Sequence, residues 1–172
     1  MKQLLFLFFF SMALTVVSQA DSLPPRNREV LAAVAAYGPS ISPTYDHAVC
    51  TELVIGILEH VCTLTKKDRS RIRIIISRDV YELMDEGSPL PKGVVYALAV
   101  SGKGTVVERV EDVLEGDFVQ FWYPQSWGHC GIVKRIDMAA NTMELYSSFP
   151  STNGFGVQEF IIPAYCYFVR LN

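Results

Sequence analysis

The chain has 172 residues, with 15 Lys and Arg against 18 Asp and Glu and a formal net charge of −3. No basic stripe is gathered on one segment, which argues against nucleic-acid binding, since that needs positive charge concentrated on one face. The length is that of about one domain able to bury a real core, and the 50% hydrophobic fraction is raised by an apolar leader.

That leader comes first in the chain. Lys2 precedes Leu4-Leu5-Phe6-Leu7-Phe8-Phe9-Phe10, the apolar run continues from Ala13 to Val17, and Ser18-Gln19-Ala20 places small residues where a signal peptidase reads. Residues 1–20 therefore read as a secretory signal peptide, leaving a single domain over 21–172 that is expected to be secreted or periplasmic. The run is too short to favour a membrane anchor, so no stable membrane insertion is expected after cleavage. Loss of Lys2 makes the net charge one unit more negative.

Arg28 to Tyr37 reads as a short helix, with Val30, Leu31 and Val34 on one side and a stop near Gly38-Pro39. A polar loop, Ser40 to Val49, leads into a helix that starts near Cys50 and buries Leu53, Val54, Ile57, Leu58 and Val61. The one basic cluster, Lys66 to Arg73, reads as a solvated loop entering a strand or helix, and Arg71 to Ile76 is β-prone. Asp79 is placed to cap a helix that stops at Gly87, and Gly93 to Val100 forms another short helix. The final third is strand-rich: Asp117 to Trp122, His129 to Ile136, Thr142 to Ser147 and Tyr165 to Leu171. Turn signals separate them, Ser151-Thr152-Asn153-Gly154 among them. Helices first and strands afterwards indicate an α+β fold.

Two residues in this plan carry chemistry. A cysteine at a helix N-terminus has its thiolate favoured by unpaired backbone N–H groups and by the positive end of the helix dipole, which describes Cys50. His129, inside Gly128-His129-Cys130-Gly131, sits on a strand from which it can take the thiol proton; nucleophile and base need only meet in space. Side chains alternate along a strand, so Cys130 is expected to point away from the site as a small buried hydrophobe. If Cys50 stays reduced, Cys62, Cys130 and Cys166 remain for one disulfide, and Cys62 with Cys166 is the preferred pair. No C-x-x-C or H-x-x-x-H spacing supports zinc, so no metal or cofactor is expected. His47 and His60 show no partner pattern, and Trp122, Tyr123 and Trp127 either line a groove or cover the sheet edge.

The order of helix, loop with Tyr45, cysteine-led helix, Val110-Glu111-Asp112-Val113-Leu114-Glu115-Gly116-Asp117-Phe118-Val119 and then Gly-His-x-Gly-Ile-Val resembles the NlpC superfamily of papain-like cell-wall hydrolases. Members of that family show L-x-P-G-D-L-V-F-F before one strand and H-V-G-I-Y on the histidine strand. The resemblance spans roughly Arg28 to Arg170 and implies a papain-like α+β fold, its N-terminal helices, the cysteine-led one included, packed on a C-terminal antiparallel sheet. It also implies acyl transfer: Cys50 attacks an amide carbonyl, His129 relays the proton, and water releases the acyl-enzyme. In the family a third polar residue on the following strand orients the histidine; here Ser148 is favoured, with Tyr146, Ser147 and Asn153 as alternatives.

The backbone N–H of Cys50 helps to bind the oxyanion in this scheme. Tyr45, placed like a family tyrosine, joins Asp46 and Trp127 as the expected substrate-binding residues. Around the nucleophile the family reads D-C-S-G-L, whereas this chain reads Val49-Cys50-Thr51-Glu52-Leu53. The family's acidic residue holds the substrate's amine, so Val49 leaves that role to Asp46 or Glu52, or to neither. The expectation is a secreted, monomeric cysteine peptidase or amidase cleaving peptide amides in peptidoglycan stem peptides. The alternative is a catalytically inactive secreted peptide- or wall-binding module on the same fold. An acyltransferase or deamidase would differ in acceptor rather than in nucleophile.

Overall fold

The computed structural model describes residues 23–124 and 127–172; the expected signal peptide lies outside the described residues. Among these residues five α-helices come first: α1 Pro25–Ile41, α2 Cys50–Val61, α3 Lys66–Ile72, α4 Val80–Asp85 and α5 Gly93–Val100. Six strands follow: β1 Gly104–Val107, β2 Phe118–Tyr123, β3 Trp127–Asp137, β4 Thr142–Phe149, β5 Gly154–Ile161 and β6 Tyr165–Leu171. They form one antiparallel sheet in the order β1-β6-β2-β3-β4-β5. The protein is thus α+β, helices before an antiparallel sheet. No helix among the described residues is long and apolar enough to cross a membrane.

Strand alternation gives the sheet two buried faces. Phe118, Cys130, Ile132 and Val169 pack with α1, α2 and α5 in one core, while their neighbours Val119, Val133 and Phe168 join Phe121, Phe149 and Phe160 in a second. Burial on both faces explains the unbroken apolar start of β2. On α2, Leu53, Val54, Ile57 and Leu58 are all fully buried, and each is worth about 1.5–3 kcal/mol by leaving water.

Asp117 ties the helices to the sheet. Fully buried, it accepts hydrogen bonds from Arg170 Nε (2.8 Å) and Nη2 (2.7 Å), from Asn27 Nδ2 (2.8 Å) and from the Leu114 amide (2.8 Å). The turn before it needs Gly116, whose φ is +86° and where a Cβ would sit 2.8 Å from the Asn27 carbonyl oxygen. One carboxylate thereby joins α1, β2 and β6.

The structure corrects several expected elements. The first helix is longer at both ends, because Pro25 suits a first turn whose N–H groups are unpaired anyway. Gly38 is no stop: a Cβ there would lie 2.4 Å from the Phe155 ring, so the glycine serves close packing of α1 on β5. The β-prone stretch Arg71 to Ile76 is not a strand. Thr65 and Asp68 close a reciprocal capping box that starts α3, and Ile75, 75% exposed, has no sheet to pack against. Strands β1 and β5 were not foreseen; both are sheet edges, where half-exposed residues and glycines weaken the alternating pattern. The helices at Asp79 and Gly93 and the strand Tyr165–Leu171 form as expected, Asp79 Oδ1 accepting from the Tyr81 and Glu82 amides.

Candidate active site

Helix α2 begins at Cys50 after an extended Val49, with no side chain capping its first turn. The free amides and the dipole of the helix therefore converge near the Cys50 side chain. The loop that delivers Cys50 is held by Ser42, which is buried, donates from Oγ to the Ala48 carbonyl (2.8 Å) and shares a 2.8 Å hydrogen bond with Ser148 Oγ. Its own carbonyl accepts from the Phe155 amide at 2.9 Å. Ser42 thus anchors the nucleophile's loop to β4 and β5, a role that no sequence motif signals.

Across from Cys50 stands β3. Cys50 packs against the helix-side core to which Cys130 belongs, and interactions with the Cys130 thiol first, then with the His129 imidazole and the Cys130 backbone N–H, favour the Cys50 thiolate. Led by the Cys130 thiol, these outweigh burial and pull the Cys50 thiol down to about 4. The same contact acts in reverse on Cys130, which the Cys50 charge and complete burial push well above the ordinary thiol value.

This overturns the expectation that Cys130 points away. The residue is indeed a buried member of the helix-side core, but that is the side on which Cys50 lies. Alternation holds here, because the β2–β3 ladder runs unbroken through Gln120↔Cys130 and Phe121↔His129: Cys130 faces the helices, and His129 lies on the other face against Phe121, Phe149 and Phe160. Ser147 Oγ fixes the local path of β3 by donating to the Cys130 carbonyl at 2.7 Å.

His129 is 5% exposed and held by rings rather than by a polar residue. It stacks on Phe149 (centroids 5.0 Å, planes 17° apart) and on Trp127 (5.6 Å, 5°). Its Nε2 is buried and has no hydrogen-bond partner among the described residues. The expected orienting role of Ser148 is therefore not met, because Ser148 bonds to Ser42. Among the alternatives, Ser147 is spent on the Cys130 carbonyl, Tyr146 stacks on Phe155 (6.3 Å, 3°), and Asn153 occupies an exposed turn at φ +49°.

The expected substrate-binding residues divide. Tyr45 is half-buried near the nucleophile; burial first, then the Cys50 and Asp46 charges, raise its phenol above the ordinary value. Asp46 is exposed. Trp127 is 46% exposed above His129, so it both holds the imidazole and presents apolar surface beside it. Glu52 is engaged elsewhere: Arg73 donates to it twice, Nε at 2.7 Å and Nη2 at 2.8 Å, which holds its carboxyl below the usual range despite partial burial. His60 stacks on Tyr37 at 3.7 Å and serves the α1–α2 contact.

All four cysteines are free thiols, and the preferred Cys62–Cys166 pairing is corrected. Cys62 packs on the helix-side core and Cys166 on the opposite one, so the sheet separates them beyond disulfide reach. Burial pushes the Cys166 thiol up to about 12 and also raises Cys62.

Compared with family models, with curated proteins and with solved structures, the chain finds no match in any of the three.

Proposed function

We propose that this protein is a secreted cysteine hydrolase of the papain-like NlpC kind, cleaving peptide amides of peptidoglycan stem peptides. The observation that carries the reading is Cys50 at the uncapped start of α2, its thiolate favoured by the Cys130 thiol and by the His129 imidazole of β3. Thiolate, helix N-terminus and imidazole form the arrangement that acyl transfer needs. The Gly116-Asp117 turn before β2 and the helix-then-sheet order support the family likeness.

The chemistry follows from the groups present. The Cys50 thiolate attacks the amide carbonyl, and negative charge moves from sulfur to the carbonyl oxygen, where the Cys50 backbone N–H and the dipole of α2 stabilise it. His129 gives its proton to the departing amine, then accepts one from the water that releases the acyl group. Cys130 holds the resting thiolate, so the nucleophile is charged at neutral pH without waiting for proton transfer. A thiolate stabilised this strongly is intrinsically less nucleophilic. The gain is in readiness, not in the force of attack.

A second reading, a secreted peptide- or wall-binding module without activity, is favoured by one observation: His129 Nε2 has no orienting partner among the described residues. Digestion of purified peptidoglycan followed by mass spectrometry separates the two. New peptide termini that accumulate with time support the hydrolase. Binding to the wall without new termini overturns it in favour of the module.

A further inference from the structure

We infer that Cys50 and Cys130 form a reversible disulfide, making the pair a redox modification site as well as part of the candidate active site. The inference rests on the contact of the two thiols, not on hydrolysis, and it stands whether or not the protein cleaves an amide. Three features carry it. Cys50 at the start of α2 packs against the helix-side core in which Cys130 of β3 is buried, and each thiol acts on the other's charge. Cys50 is partly open to solvent whereas Cys130 is fully buried, so an oxidant reaches one partner before the other. The remaining thiols, Cys62 and Cys166, lie on opposite faces of the sheet from each other and have no thiol neighbour of this kind.

The oxidant required is a small hydroperoxide, and hydrogen peroxide is the simplest. The Cys50 thiolate attacks one peroxide oxygen, so an S–O bond forms, the O–O bond breaks and two electrons pass from sulfur to the departing hydroxide. The resulting Cys50 sulfenic acid then meets the Cys130 thiol. An S–S bond forms, the S–O bond breaks, and the hydroxyl leaves with the thiol proton as water. A dithiol reverses the reaction by exchange. The closed form has no free nucleophile, and it shields Cys50 from irreversible oxidation to sulfinic acid. Low-pKa, accessible sulfur beside a resolving thiol is the arrangement such chemistry selects.

The test uses the full secreted chain, folded and reduced, titrated with hydrogen peroxide, alkylated under non-reducing conditions and mapped by mass spectrometry. The expected product is a peptide pair crosslinked through Cys50 and Cys130, with Cys62 and Cys166 alkylated and full reversal by dithiothreitol. In Cys130→Ala, Cys50 should instead gain oxygen and resist dithiothreitol. The wild-type map stands alone should that variant fold poorly. Cys50 carried to sulfinic acid with Cys130 still free would overturn the inference. So would a crosslink from Cys50 to Cys62 or Cys166, or an unoxidised Cys50.

Discussion

Cys130, buried in the helix-side core, lies where Cys50 packs at the start of α2, and its thiol is the leading cause that holds the Cys50 thiol low. In the proposed mechanism two neighbouring residues of β3 divide the work: His129 moves protons, and Cys130 holds the thiolate.

The first prediction is a pH profile. Because the folded Cys50 thiol lies near 4, its alkylation by iodoacetamide should stay level from mildly alkaline to mildly acidic pH and fall only as pH drops through about 4. Cys130→Ala removes the leading cause of that depression and should move the midpoint upward. A midpoint in the ordinary thiol range for the wild type would contradict the pairing of the two thiols.

His129→Ala should lower turnover by about 10²- to 10⁴-fold, the usual worth of a positioned acid–base group. Its effect on alkylation at neutral pH should be far smaller, since Cys130 remains to hold the thiolate. Equal losses of turnover and alkylation would assign His129 to thiolate stabilisation alone.

Stability should depend on Asp117. Asp117→Ala leaves Arg170, the Asn27 amide and the Leu114 N–H without their acceptor in the interior, and breaking a buried ion pair from one side costs about 3–5 kcal/mol. Urea denaturation reads this as a lower midpoint. A change within experimental scatter would remove Asp117 as the tie between α1, β2 and β6.

Much of this was legible in the sequence, for identifiable reasons. The helix start at Cys50 and the strand carrying His129 were legible because each is a local pattern. Cys130 was misjudged because alternation along β3 does not say which face meets α2, and that face is the one Cys130 occupies. Ser148 was chosen by strand position alone, and nothing in the sequence reveals that Ser42, 106 positions away, takes its hydroxyl. The stacking of Phe149 on His129 is likewise a long-range fact, since it comes from β4, whereas Trp127 reaches the ring from two positions earlier on β3 itself. The capping box of α3 was visible as Thr65 and Asp68, but the isoleucines after it drew the reading toward a strand.

Substrate choice gives a fourth prediction. A free amine in the groove needs a carboxylate, since an unpaired ammonium loses hydration that Val49 cannot replace. Glu52 is committed to Arg73, which leaves Asp46 as the nearby carboxylate on the nucleophile's loop. The protein should therefore cleave stem peptides that are blocked or still attached to glycan at least as well as free ones. A strong preference for free amines, abolished by Asp46→Asn, would show that Asp46 has assumed the role.

Hydrolysis of purified peptidoglycan by wild type and by Cys50→Ala, compared side by side, tests the identity of the nucleophile most directly. With Cys50→Ala folded like the wild type by circular dichroism, peptide release should fall to background, because no other thiol of the chain combines a helix start with an imidazole. A folded Cys50→Ala that retained most of the wild-type rate would contradict the assignment of Cys50 as the attacking group.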